Sequence, residues 1–118
     1  RNLMKEREQG DPRATRAIEV FCYRVKKYLG AYMAVLGRTD AIVFTGGIGE
    51  NTPFVREKSL AGLESFGIAL DKEKNSSTVH APATEISLPE SAVRVLVIPT
   101  DEELDIARDA YRLVRAQP

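Results

Sequence analysis

Apolar residues between Ile18 and Leu36 recur at three- and four-residue steps, as Ile18, Phe21, Cys22, Val25, Leu29, Tyr32, Met33 and Leu36. That spacing draws one stripe along an α-helix. The helix is entered through Asp11-Pro12, an N-cap acceptor followed by the position where proline's missing N–H costs nothing, and Gly37 is placed to end it. Two short, continuously apolar runs follow, "DAIVF" from Asp40 and "VRVLVIP" up to Pro99. Both read as strands covered on both faces. Between them, Thr52-Pro53 repeats the cap-plus-proline entry, and Val55, Leu60, Leu63 and Phe66 give a less regular helical face that stops at Gly67. A polar connection comes next, with "DKEKN" as a surface turn and a short edge strand near Glu85 to Leu88. Beyond Pro99, Leu104, Ala107, Tyr111 and Val114 mark the stripe of a third helix. Helix, strand, helix, strand, helix predicts an α/β class with parallel strands, three main helices and two buried strands in one domain over residues 1–118.

Charge and cysteine content narrow the function classes. Seventeen basic and seventeen acidic side chains cancel, so no nucleic-acid or membrane surface is implied. One cysteine and one histidine supply neither an intramolecular disulfide nor a zinc cluster, and the composition suits a reducing cytoplasm. No apolar run approaches a membrane span. The chain opens on Arg1 rather than methionine, as expected of a piece of a longer protein.

Chemistry concentrates in two loops. "TGGIGEN" and "PTDEE" each leave the C-terminal end of a predicted strand and feed a helix, and ligands of open α/β sheets bind at that edge. Gly46, Gly47 and Gly49 serve equally well as a tight turn or as a cradle in which a flat or phosphorylated ligand approaches the backbone. Neither common phosphate motif fits. A Walker A loop needs Lys-Ser/Thr where Glu50-Asn51 stands, and the Rossmann fingerprint needs glycine or alanine where Thr52 stands.

In "TDEE", Thr100 and Glu103 have the spacing of a capping box, and acids in a first turn suit the helix dipole. Glu102 is left without a structural task at the ligand edge, where a carboxylate can hold Mg²⁺ directly or through water. Cys22 and Met33 read as core residues and Arg56 as a solvated one. His80 has no evident partner and receives no role.

Taken together, "DAIVFTGGIGENTPFVRE", "VRVLVIPTDEELDIARDA" and the helix "AIEVFCYRVKKYLGAY" closely resemble the C-terminal segment of the acetokinase family of short-chain carboxylate kinases. The resemblance covers nearly all of this chain but only the closing part of such an enzyme. It implies an actin-like, sugar-kinase-like (ribonuclease H-like) fold and the reaction ATP + acetate ⇌ ADP + acetyl phosphate in the whole protein. It assigns Gly47, Ile48, Gly49, Glu50 and Asn51 to ATP/ADP binding, with Ile48 against the adenine, and Glu102 to Mg²⁺. The family's Asp-x-Arg nucleotide motif would leave only its arginine here, as Arg1. The family's carboxylate pocket and phosphoryl-stabilising residues lie upstream, so no catalytic residue falls in this chain, and the related propionate and butyrate kinases are not distinguished. The resemblance also implies a homodimer. A stand-alone nucleotide-binding module is the competing reading, and Thr52 disfavours a nicotinamide-binding one.

Overall fold

The computed structural model describes residues 2–77 and 82–115; Arg1 and His80 lie outside them. Among the described residues, six α-helices, a single 3-10 turn and three strands alternate along the chain: α1 (Asn2–Glu8), α2 (Pro12–Leu36), β1 (Ala41–Phe44), α3 (Gly46–Asn51), α4 (Pro53–Leu60), α5 (Lys72–Ser76), β2 (Thr84–Glu85), β3 (Arg94–Val97) and α6 (Glu102–Arg115).

α2 forms as its local signals predict. The Asp11 carboxylate accepts the N–H groups of Arg13 and Ala14 at 2.7 and 3.2 Å, Pro12 occupies the first turn, and the N–H of Gly37 closes the helix on the Met33 carbonyl. α4 likewise begins on Pro53, but the Thr52 side chain makes no cap; its carbonyl accepts from Val55 and Arg56 instead. The second helix is also shorter than its apolar face suggests, ending at Leu60, with Phe66 on an exposed 3-10 turn.

The sheet corrects two expectations. Its order is β1-β3-β2, with β1 parallel to β3 and β2 antiparallel to it, so it is mixed rather than wholly parallel. The connection between β2 and β3 is too short for a parallel crossover, and antiparallel pairing follows. The second correction concerns burial. Ile42, Phe44, Val95 and Val97 point into the core, whereas Ala41, Val43 and Arg94 on the other face are exposed and Leu96 is half-buried. Among the described residues only one face is covered, because the helices that reach the strands, α2 through Leu29 and Met33 and α4 through Leu60, lie on the same side.

A second, smaller cluster joins Ile18 and Cys22 of α2 to Val55 of α4, with Met4 and Phe54 packed against it. Cys22 and Met33 are thus packing residues, as read from their spacing. α6 differs from its expectation: the stripe of Leu104, Tyr111 and Val114 forms a helix, yet none of its residues is buried. Among the described residues, no helix is long and apolar enough to cross a membrane.

Candidate functional site

The glycine motif is itself a helix. Gly46 to Asn51 forms α3 immediately after β1, although glycine is a poor helix former, so tertiary contacts override local preference. Gly46 enters it at φ +70°, a conformation that favours glycine. With each residue turning about 100° around the helix axis, the five positions after Gly46 divide into three directions. Gly47, Ile48 and Asn51 face a groove, Gly49 faces the strand end, and Glu50 faces the loop after β3.

The groove, of about 960 Å³, has apolar walls supplied by Leu3 and Met4 of α1, Phe21 of α2, Ile48 of α3 and Phe54 of α4. Asn51, Glu8 and Thr52 add polar groups at its border. An apolar cleft with a few placed polar groups is the usual form of a small-molecule site. Arg7 stacks over the Phe54 ring at 3.6 Å and braces that wall. Ile48 is 53% exposed, an apolar side chain held against the open groove.

The glycines now separate by task. A Cβ on Gly47 would meet nothing within 4 Å, so packing alone does not demand glycine there. A Cβ on Gly49 would sit 3.2 Å from the Phe44 carbonyl carbon, so this glycine permits close approach of α3 to β1. Asn51 donates from Nδ2 to the Gly47 carbonyl at 3.0 Å, which ties the two ends of α3 together along the groove face.

Arg56, read from sequence as a solvated residue, is fully buried. Its guanidinium donates to the carbonyls of Gly49 (2.6 Å) and Glu50 (2.8 Å), and to both Oδ1 (2.7 Å) and the carbonyl (2.9 Å) of Asn75. Burial lowers its pKa, but a guanidinium remains charged at neutral pH. Asn75 belongs to α5, so "DKEKN" is no loose turn: Asp71 caps it through the Lys74 N–H, and Asn75 Nδ2 also reaches the Pro53 carbonyl. Sequence reasoning missed both residues; the apolar neighbours Val55 and Leu60 around Arg56 were the one available signal.

At the second loop, Asp101 rather than Thr100 caps α6, accepting the Leu104 N–H at 3.1 Å. Thr100 is occupied elsewhere. Its N–H and hydroxyl both donate to Oε1 of Glu50, at 2.9 and 3.1 Å, which joins the two sequence motifs directly. Glu102 then opens α6, exposed, at the same sheet edge. Among the described residues, no three His, Cys, Asp or Glu side chains gather into a metal cage. Arg1, the remaining predicted contact, lies outside the described residues.

Comparison with known proteins gives the class first. The chain belongs to the acetokinase family, whose profile matches residues 1–108. Its particular relatives are kinases by name. It is 54% identical over 114 residues to acetate kinase of Caldicellulosiruptor saccharolyticus, covering 97% of this chain and 29% of that protein. Among solved structures it is similar to acetate kinase of Porphyromonas gingivalis (TM-score 0.81, 43% identity, 95% of this chain and 28% of that one). A propionate kinase from Francisella tularensis is also similar (TM-score 0.77, 39% identity, 90% and 26%). The chain spans about 29% of the length of its curated relatives.

Proposed function

We propose that this chain supplies one wall of the nucleotide site of a short-chain carboxylate kinase that converts ATP and acetate to ADP and acetyl phosphate. The observation that carries the reading is the convergence of Gly47, Ile48 and Asn51 on one apolar groove, with "PTDEE" held beside them by the bond from Thr100 to Glu50. The adenosine lies in the groove, against Ile48 and over the open backbone of Gly47. Gly49 and Glu50 serve the nucleotide from behind, through the placement of α3. Arg1 is assigned to the same nucleotide on resemblance alone. The wider architecture is read as the closing part of an actin-like domain.

The residues present fit magnesium of a particular kind. Mg²⁺ in phosphoryl-transfer sites keeps several waters and takes one or two carboxylates together with substrate phosphates. Glu102, one of three exposed acids in the first turn of α6, suits that arrangement, and no cluster of carboxylates forms an all-protein cage among the described residues. Glu102 is assigned to hold the ion, usually through water; when bound, the ion neutralises charge on the phosphate oxygens. Phosphoryl transfer depends on positioning and charge stabilisation around the in-line group. The groove and Glu102 provide nucleotide positioning only, so turnover requires the remainder of the enzyme.

The similarity to a propionate kinase supports a second reading, in which the acyl acceptor is a longer carboxylate. The whole protein is read as a cytoplasmic homodimer, in keeping with the single unpaired cysteine of this chain and the exposed apolar side chains of α2. Phosphorylation assays of the full-length protein on acetate, propionate and butyrate decide the acceptor. Stabilisation by ADP with Mg²⁺ and not by NAD is expected; failure of ADP to raise the melting temperature would refute the nucleotide assignment.

A further inference from the structure

We infer that Glu50 is a positioning residue that sets the place of the magnesium carboxylate, Glu102, relative to the nucleotide helix. This inference rests on the nucleotide and magnesium reading above and gives Glu50 a positioning task in place of direct contact with the nucleotide.

The last bond between β1 and β3 on this side is from the Ile98 N–H to the Phe44 carbonyl, at 3.0 Å. The chain then passes Pro99 and must be fixed again before α6 begins at Glu102. Glu50 provides that fixed point: one carboxylate oxygen accepts both the backbone N–H and the hydroxyl of Thr100. Hydrogen bonds to a charged acceptor are stronger than neutral ones, and two on one oxygen define a direction as well as a distance. Thr100 is followed at once by Asp101, whose carboxylate caps α6, so fixing Thr100 fixes the first turn that carries Glu102.

Glu50 is itself held from the opposite side. Nη1 of the buried Arg56 donates to the Glu50 and Gly49 carbonyls, and Asn75 holds the rest of that guanidinium. The backbone of Glu50 is therefore anchored in the protein interior while its side chain reaches out to the other loop. Metal ligands are commonly oriented by partners of this kind, whose loss weakens metal binding without removing a ligand.

The test uses the full-length protein, with Mn²⁺ as a spectroscopic probe for Mg²⁺. Free Mn²⁺ is followed by electron paramagnetic resonance in the presence of saturating ADP, and metal-free ADP affinity is measured separately by calorimetry. Glu50→Ala is expected to weaken Mn²⁺ binding by about 10-fold or more while metal-free ADP affinity stays within about 2-fold. Glu50→Gln, whose amide oxygen can still accept both Thr100 donors, is expected to restore Mn²⁺ binding to within about 2-fold of wild type. Thr100→Val removes one donor with little change of shape and should weaken Mn²⁺ in the same direction, by about 3-fold, and adding it to Glu50→Ala should cost little more.

Several outcomes overturn the inference. Unchanged Mn²⁺ affinity in Glu50→Ala would show that the link does not place the metal carboxylate. Equal losses in Glu50→Ala and Glu50→Gln would show that Glu50 meets the ion with its charge. Loss of metal-free ADP binding along with Mn²⁺ would make Glu50 a nucleotide contact. If the wild-type protein itself bound Mn²⁺ no better with ADP than without, the underlying site assignment would fall instead.

Discussion

The two loops at the sheet edge are built in opposite ways. α3 and its motif are fixed from within: Gly49 abuts the end of β1, and the buried Arg56 holds the last turn of the helix together with Asn75. The "PTDEE" loop is fixed from outside the core, by one carboxylate from its neighbour and by its own Asp101 cap, and it leads into a helix of which no residue is buried. If the proposed site holds, burial and functional assignment need not coincide. The polar groups that hold α3 are interior, while Glu102 stands exposed on a turn held by the Thr100–Glu50 bonds and the Asp101 cap.

The sharpest way to break this contrast is to remove the interior anchor. Arg56→Ala strands the carbonyls of Gly49, Glu50 and Asn75 and is expected to cost about 3 kcal/mol or more in urea unfolding. Arg56→Lys should recover little, because a single ammonium cannot serve four acceptors spread over two helices. A loss below about 1 kcal/mol would mean that α3 is held by its packing on β1 rather than by the guanidinium.

Next in size is the exposed side. Glu102→Ala in the full-length protein should lower magnesium-dependent turnover by about 100-fold with the melting temperature nearly unchanged, whereas Glu103→Ala should stay within about 3-fold. Equal losses of activity in both variants would reduce the motif to a helix cap.

A third experiment divides the glycines. Gly49→Val must push against the Phe44 backbone and should destabilise by about 1–3 kcal/mol. Gly47→Val meets open space, so it should leave stability within about 0.5 kcal/mol while weakening ADP binding by about 10-fold. If both behaved alike, the separation of α3 into a groove face and a packing face would be wrong.

The smallest effect concerns pH. Arg94, and next Ser87, hold the Glu85 carboxyl down from 4.5 to about 2. The folded protein therefore binds this proton more weakly than the unfolded chain. The contribution is complete above about pH 4.5 and is lost as pH falls toward 2. Glu85→Gln should show a slightly shallower fall of melting temperature across that window, and added salt should shrink the difference, since both partners are exposed.

The parts of the fold legible in sequence are those whose causes are local. The Asp11-Pro12 entry, the Gly37 stop and both strand positions depend on near neighbours, and each appears as expected. What escaped depends on contacts between distant residues. The apolar neighbours Val55 and Leu60 are the one local sign that Arg56 is buried, and its partner Asn75 lies 19 residues away. Thr100 looks like a cap until Glu50, 50 residues earlier, takes both its donors. The apolar outer face of β1 and the stripe on α6 lead sequence reasoning to expect burial, yet among the described residues no element covers them.

Cys22 turns the seam between α2 and α4 into something that can be timed. It is the chain's single thiol, is buried beside Val55, and is kept protonated by burial, which raises its pKa. A thiol reagent reaches it only when the seam parts, so the labelling rate counts those openings. Because the same seam bears Ile18 and Phe54 of the groove wall, slower labelling in the presence of ADP would register occupancy of the proposed site through a sulfur atom that does not line the groove.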